Sequence, residues 1–296
     1  MKQSDRIDPK HVLASIEREG ICVLPDFLPA SEVEAIAREG HELARDMPSF
    51  LKKHPRDRDA SFMLNLIPAR LTRHHGWGRV PSFERIKSLP VVRSTADGYL
   101  GTGWGTTNFI YNYSVAATDD ELFPLHIDVF EGLKGMKVYV YLNAGSRENG
   151  AFRYIPRSHR LARAAAPKMA QVLGTHKVTE NALSDVLKAL DRHPDLIADP
   201  EMAEAHRLLQ DLDRNPDKSY DYVVSGGPGT VVIFDTIGVH GGGRVYSGER
   251  YIARYHFVGP EFVFKNLPDQ LPPVKRALSH ARRISRKLFM RKAANG

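Results

Sequence analysis

His126-Ile127-Asp128 is the stretch on which the fold turns, because it sits among segments that read as β-strand. Side chains on a strand alternate between faces, so His126 and Asp128 project from one side while Ile127 faces the other. An imidazole and a carboxylate on adjacent pleats are close enough to hold one metal ion. A third donor, His240, lies far downstream and follows another apolar run, Val231-Val232-Ile233-Phe234. Two histidines and one carboxylate form the facial triad that leaves coordination positions of non-haem Fe(II) open.

An H-x-D arises often by chance, and its plainer expectation is a surface histidine beside a strand-end aspartate. The flanking segments change that balance. Lys137-Val138-Tyr139-Val140-Tyr141-Leu142 alternates like a strand, and Glu148-Asn149-Gly150-Ala151-Phe152-Arg153-Tyr154-Ile155-Pro156-Arg157-Ser158-His159 follows it. Beyond His240 come Gly241-Gly242-Gly243 and a second alternating run, Arg250-Tyr251-Ile252-Ala253-Arg254-Tyr255-His256-Phe257. Together these resemble the phytanoyl-CoA dioxygenase family of Fe(II)/2-oxoglutarate oxygenases. Its members show H-x-D, an N-G-x-x-x-x-P-G-S-H-like stretch, and a distal His followed by an Arg on the next strand. The resemblance runs from about Asn108 to Phe257, with an N-terminal piece from Gly20 to Leu28. It departs at Arg157, where glycine is usual.

The resemblance implies an α+β fold with a mainly β core, a double-stranded β-helix or jelly roll. It implies Fe(II) on His126, Asp128 and His240, with 2-oxoglutarate and O2 as cosubstrates. The far carboxylate of 2-oxoglutarate is then held by an arginine, whose planar fork meets a carboxylate with two parallel hydrogen bonds. Arg250, ten positions after His240, occupies the matching place. Arg254 shares its strand face and is the runner-up, while Arg244 lies in the glycine-rich turn. Some relatives carry a small hydroxyl two residues after the arginine, where this chain has Ile252. A second anchor therefore falls to Asn112 or Lys137, for both of which an ordinary surface role is the plainer expectation. Halogenating relatives replace the metal carboxylate with a small residue. Asp128 is present, so hydroxylation or desaturation is expected, with release of succinate and CO2 and no catalytic side chain beyond the metal site. A cupin-like metal-dependent hydrolase or isomerase using the same His/Asp/His set is the alternative, and Arg250 discriminates against it. A barrel without chemistry, serving as a binding module, is opposed by the intact triad.

The other histidines carry plainer expectations. His54, His74, His75 and His193 lie in polar, proline-rich or charged surroundings, His159 is structural, and His256 is a core histidine on the Arg250 strand face. Asp235, at the end of the Val231 run, stays outside the metal set because Asp128 has the better spacing.

At 296 residues, 42% of them hydrophobic, the chain suits one globular domain. Its one cysteine, Cys22, excludes an intramolecular disulfide and sits in an apolar run, where a buried inert thiol is expected. Leu271 to Gly296 holds eight Lys or Arg and no Asp or Glu, leaving 34 basic against 35 acidic residues elsewhere. The body is near neutral and gives no support for nucleic-acid binding. From Val274 to Lys292 the apolar residues fall on one helical arc and the cations opposite. Two expectations follow for 271–296: attachment to an anionic membrane surface, or packing of the apolar stripe on the barrel. The substrate is expected to be a small-molecule or lipid-linked metabolite. The location is expected to be cytoplasmic, and peripheral at the cytoplasmic membrane face under the first of the two expectations for the tail.

The remaining organisation follows from punctuation and period. Asp8-Pro9 caps a first helix, and Ile21 to Leu24 forms a short strand. Ser31-Glu32-Val33-Glu34 opens a helix to about Asp46. Residues 47–90 are punctuated by five prolines that break any long element. Gly101 to Gly105 reads as a strand approach or a turn rather than a phosphate-cradling loop. Residues about 161–218 are helical and form an insertion into the barrel of 1–270, expected as a lid over the pocket or a packing appendage.

Overall fold

The computed structural model describes residues 7–45, 63–66, 81–116, 124–128, 134–173 and 181–261. The basic tail therefore lies outside the described residues, as do His54, His74 and His75.

Helix α1 (Pro9–Glu19) begins with Asp8, whose carboxylate accepts the Lys10 N–H at 2.9 Å. It ends at Gly20, at φ 81, where a Cβ would lie 2.2 Å from Tyr154 Oη and 2.7 Å from His159 Nδ1. Only glycine meets both demands. Strand β1 (Ile21–Leu24) follows, then α2 (Ala30–Arg45) and β2 (Met63–Leu66). Helix α2 opens one residue before the expected Ser31 cap, with Pro29 O accepting from Glu32 and Val33. Two helices occupy a region whose prolines read as breakers: α3 (Pro81–Ile86) and α4 (Pro90–Leu100). Each starts on its proline, at the position where a missing N–H costs no helical bond.

The strands assemble into two antiparallel sheets. β3 (Gly105–Val115), β5 (Gly135–Tyr141), β8 (Val231–Asp235) and β10 (Glu249–Val258) join β1 and β2 in a six-stranded sheet of order β1-β8-β5-β10-β3-β2. β4 (His126–Ile127), β6 (Arg153–Tyr154), β7 (Asn181–Ala182) and β9 (His240–Gly241) make a four-stranded sheet of order β6-β9-β4-β7. The architecture is a jelly roll with flanking helices.

Alternation sorts the large sheet into two faces. Met136, Val138, Val140, Val231, Ile233, Tyr251, Ala253, Tyr255 and Phe257 pack outward against α1, α2 and α4. Tyr139, Tyr141, Val232, Phe234 and Ile252 face inward with Phe152 and Tyr154. The insertion consists of α5 (Ser158–Leu173), β7, α6 (Leu183–Arg192), a 3-10 turn at Pro194–Ile197 and α7 (Pro200–Arg214). Its Leu161, Ala165, Leu187, Leu190 and Leu209 pack on Leu125, Ile127, Ile237 and Val239. The described helices therefore back the outer face of the small sheet, so that of the two expectations the insertion meets that of a packing appendage, a buttress rather than a lid. Among the described residues no helix is long and apolar enough to cross a membrane.

Candidate metal centre

Ile127 is fully buried among the insertion's side chains, which fixes the parity of β4. His126 consequently turns toward the interior, and Asp128 follows it, its backbone N–H bonded to Thr236 O at 2.9 Å. Strand β9 runs beside β4 with His126 directly opposite His240. The two imidazole rings lie 4.5 Å apart. His240 Nε2 stands 3.5 Å from Asp128 Oδ2, and His126 Nε2 stands 4.0 Å from Asp128 Oδ1. One donor atom from each of the three residues lies within 4.8 Å of the others.

Main-chain carbonyls set the ring orientations. His126 Nδ1 lies 3.0 Å from Pro124 O, and His240 Nδ1 lies 2.8 Å from Gly238 O. With Nδ1–H donating to those carbonyls, both Nε2 lone pairs are presented inward as ligands. Burial, reinforced by His126, pulls His240 down to about 4, so its imidazole is neutral at pH 7. Burial raises the Asp128 carboxyl, but Lys137, His240 and His126 outweigh it and hold it well below the usual range. His240 Nε2 is buried without a hydrogen-bond partner. Two imidazoles and one carboxylate, converging with an orphaned nitrogen on His240, fit a divalent transition metal with open positions.

The other expected site residues lie on the inward face of the large sheet. Arg250 is buried; its Nη1 donates to Gly150 O and Gly243 O, and its Nη2 to Asn112 Oδ1 at 3.4 Å and Ser114 Oγ at 3.2 Å. Burial lowers this guanidinium to about 10, leaving it charged at neutral pH. Asn112 and Arg250 are thus brought together from neighbouring strands. Ser114 belongs to the same group and was missed by sequence reasoning. The signal was its shared parity with Asn112, two residues earlier in a stretch where polar and aromatic residues alternate. Lys137 is placed elsewhere: its Nζ bonds Asp128 Oδ2, at the triad. His256, opposite Lys137 in the register, is buried and lowered to about 3 by desolvation and then Lys137. Arg254 stands between these groups on the same face, paired with Tyr139 and Ile110. It is partly buried and makes no hydrogen bond or ion pair with a described residue. Arg244 stays outside, its guanidinium 5.3 Å from the Tyr246 ring.

Asp235 also stays out of the triad. It accepts from Tyr99 Oη, Arg163 Nη2 and, at 3.1 Å, the Ile237 N–H. His159 is held in the scaffold, its Nε2 3.1 Å from Glu17 O. Arg157 takes a left-handed conformation, φ 66, at the position where the resembling motif has glycine. Its guanidinium pairs with Glu19 at 3.0 Å.

No family model and no curated protein matches this chain. Solved structures do. The epimerase SnoN, in complex with Fe3+, alpha ketoglutarate and nogalamycin RO, is 14% identical, with 85% of this chain and 83% of that one covered at a TM-score of 0.50. HygX from Streptomyces hygroscopicus, with nickel and 2-oxoglutarate bound, is 14% identical over 84% and 86% of the two chains at 0.51. EctD from S. alaskensis, with 2-oxoglutarate and 5-hydroxyectoine, is 17% identical over 86% and 76% at 0.51. These likenesses establish a shared jelly-roll fold.

Proposed function

We propose that this chain is an Fe(II)- and 2-oxoglutarate-dependent oxygenase that hydroxylates a small-molecule or lipid-linked metabolite, releasing succinate and CO2. The observation that carries this reading is the His126/Asp128/His240 triad together with a buried arginine, Arg250, on the inward face of the large sheet. Structures of the same fold hold iron or nickel together with 2-oxoglutarate, which supports the assignment.

His126, Asp128 and His240 would hold the iron, which supplies the oxidative chemistry once bound. The chain's own work is positioning and exclusion. Arg250, steadied by Asn112 and Ser114, binds the far carboxylate of 2-oxoglutarate and sets its direction. Lys137 neutralises and orients Asp128. Tyr139, Phe152 and Phe234 form a contiguous aromatic wall beside His240, with Phe234 at 5.3 Å and Phe152 at 5.7 Å from its ring, and keep water away. A metal-dependent hydrolase or isomerase working without 2-oxoglutarate would have no use for Arg250 on this face. The SnoN likeness makes epimerisation, without oxygen insertion, the outcome that product analysis must separate from hydroxylation.

Anaerobic titration of Fe(II) and 2-oxoglutarate tests the assignment through the visible metal-to-ligand charge-transfer band. A saturable band is expected, and its absence with iron bound would reject the reading. We propose in addition that 271–296 holds the protein at an anionic membrane surface, on the strength of its eight cations and no acid. Removing these residues should abolish binding to anionic vesicles and leave 2-oxoglutarate binding intact. A truncation that aggregates, with vesicle binding unchanged, would instead place the stripe on the barrel.

A further inference from the structure

We infer that Arg254 anchors an anionic group of the substrate, a carboxylate or a phosphate, beside the metal centre; the inference rests on the proposed oxygenase function. Arg250, Ile252, Arg254 and His256 alternate onto one inward face of β10. Arg254 is one pleat from His256, whose register partner Lys137 touches Asp128. Arg250 stands two pleats away in the other direction, about 13 Å along the strand at roughly 3.3 Å per residue.

Charge decides between the two arginines. Three fixed cations, Arg250, Arg254 and Lys137, share this interior with one described carboxylate, Asp128. Lys137 is taken by Asp128. After chelating a divalent metal, a dianionic 2-oxo diacid has a single carboxylate left over to pair. Arg250, braced by Asn112 and Ser114, is built to receive it. Arg254 then remains as a partly buried guanidinium with no acceptor among the described residues. Charges withdrawn from water are ordinarily paired, and the guanidinium fork suits carboxylate and phosphate equally. The partner this pattern lacks is the substrate's own anion.

The test uses the full-length protein loaded anaerobically with Fe(II) and 2-oxoglutarate, the charge-transfer band serving as the check on loading. Inorganic phosphate and acetate are then titrated separately by calorimetry, so that the two arms distinguish the head groups. Wild type should bind one of them saturably. Arg254→Gln should weaken that binding by about tenfold or more, and Arg254→Lys by less, with the 2-oxoglutarate midpoint of both variants within about twofold of wild type. Loss of 2-oxoglutarate affinity in Arg254→Gln would make Arg254 a second cosubstrate anchor and overturn the inference. Unchanged anion affinity in the variant, or a normal band with no saturable anion binding in wild type, would overturn it as well. Absence of the band in wild type would instead sink the oxygenase reading beneath it.

Discussion

The six-stranded sheet is held by long ladders, ten paired residues between β10 and β3 and seven between β10 and β5. The four-stranded sheet facing it is made of two-residue strands, joined by two register pairs or, between β4 and β9, a single one. Yet the short sheet presents His126 and His240, while the long one presents Arg250, Arg254 and Lys137. The division fits the proposed roles. The cations proposed to bind anions stand on a stiff lattice that exists without any ligand. The proposed metal donors sit on strands whose own ladder is minimal, and whose rigidity comes from the insertion packed behind them and from the ion they would share.

The comparison breaks most sharply at the donors. His126→Ala, Asp128→Ala and His240→Ala should each abolish stoichiometric Fe(II) binding while preserving the far-ultraviolet circular dichroism, because the large sheet does not depend on them. Full iron occupancy in all three would show the site to be misplaced. On the large sheet, Arg250→Ala should weaken 2-oxoglutarate binding by roughly 2–5 kcal/mol, the scale for truncating one partner of a buried, hydrogen-bonded charge pair in a complex. It should also lower the melting temperature, since Arg250 ties β10 to Gly150 and Gly243 on the opposite side. An unchanged 2-oxoglutarate titration would remove the cosubstrate role.

Hydrogen exchange sharpens the contrast without mutation. In metal-free protein the amides of β4 and β9 should exchange at least about tenfold faster than those of β5 and β10, and added Fe(II) or Ni(II) should slow the former selectively. Equal protection in the two sheets before metal would mean that the buttress alone suffices. The smallest effect belongs to Arg157, where the left-handed backbone costs a non-glycine residue roughly 1–2 kcal/mol. Arg157→Gly should therefore melt higher than Arg157→Ala, reversing the usual order of those residues. The opposite order would show that the left-handed backbone does not set the stability of this corner.

Much of this was legible in the sequence for one physical reason: period-two alternation survives in the chain as written. It placed Val231 to Phe234, the Lys137 and Arg250 strands, and the parity of His126 and Asp128. Pro81 and Pro90 misled because a proline that opens a helix and one that breaks it look alike until the flanking turns are known. Amphipathic spacing in the insertion revealed which face of each helix is apolar, but not that its partner would be Ile127 and Val239 rather than the pocket. Parity likewise turned Lys137 inward without saying that its reach ends at Asp128. The contact depends on how β4 and β5, in different sheets, face one another, which no local pattern encodes.

Asp235 has a consequence for anyone who would shorten this protein. Its carboxylate gathers Tyr99 from α4, Arg163 from α5 and the Ile237 amide from the segment leading to His240. The insertion is therefore not a removable module. A minimal barrel built by splicing out residues 161–218 would strand a fully buried carboxylate without its guanidinium, a defect on the order of 3–5 kcal/mol, a few residues from a metal donor. Any such miniaturisation has to change Asp235 in the same step, to an asparagine that Tyr99 and the Ile237 amide can still satisfy.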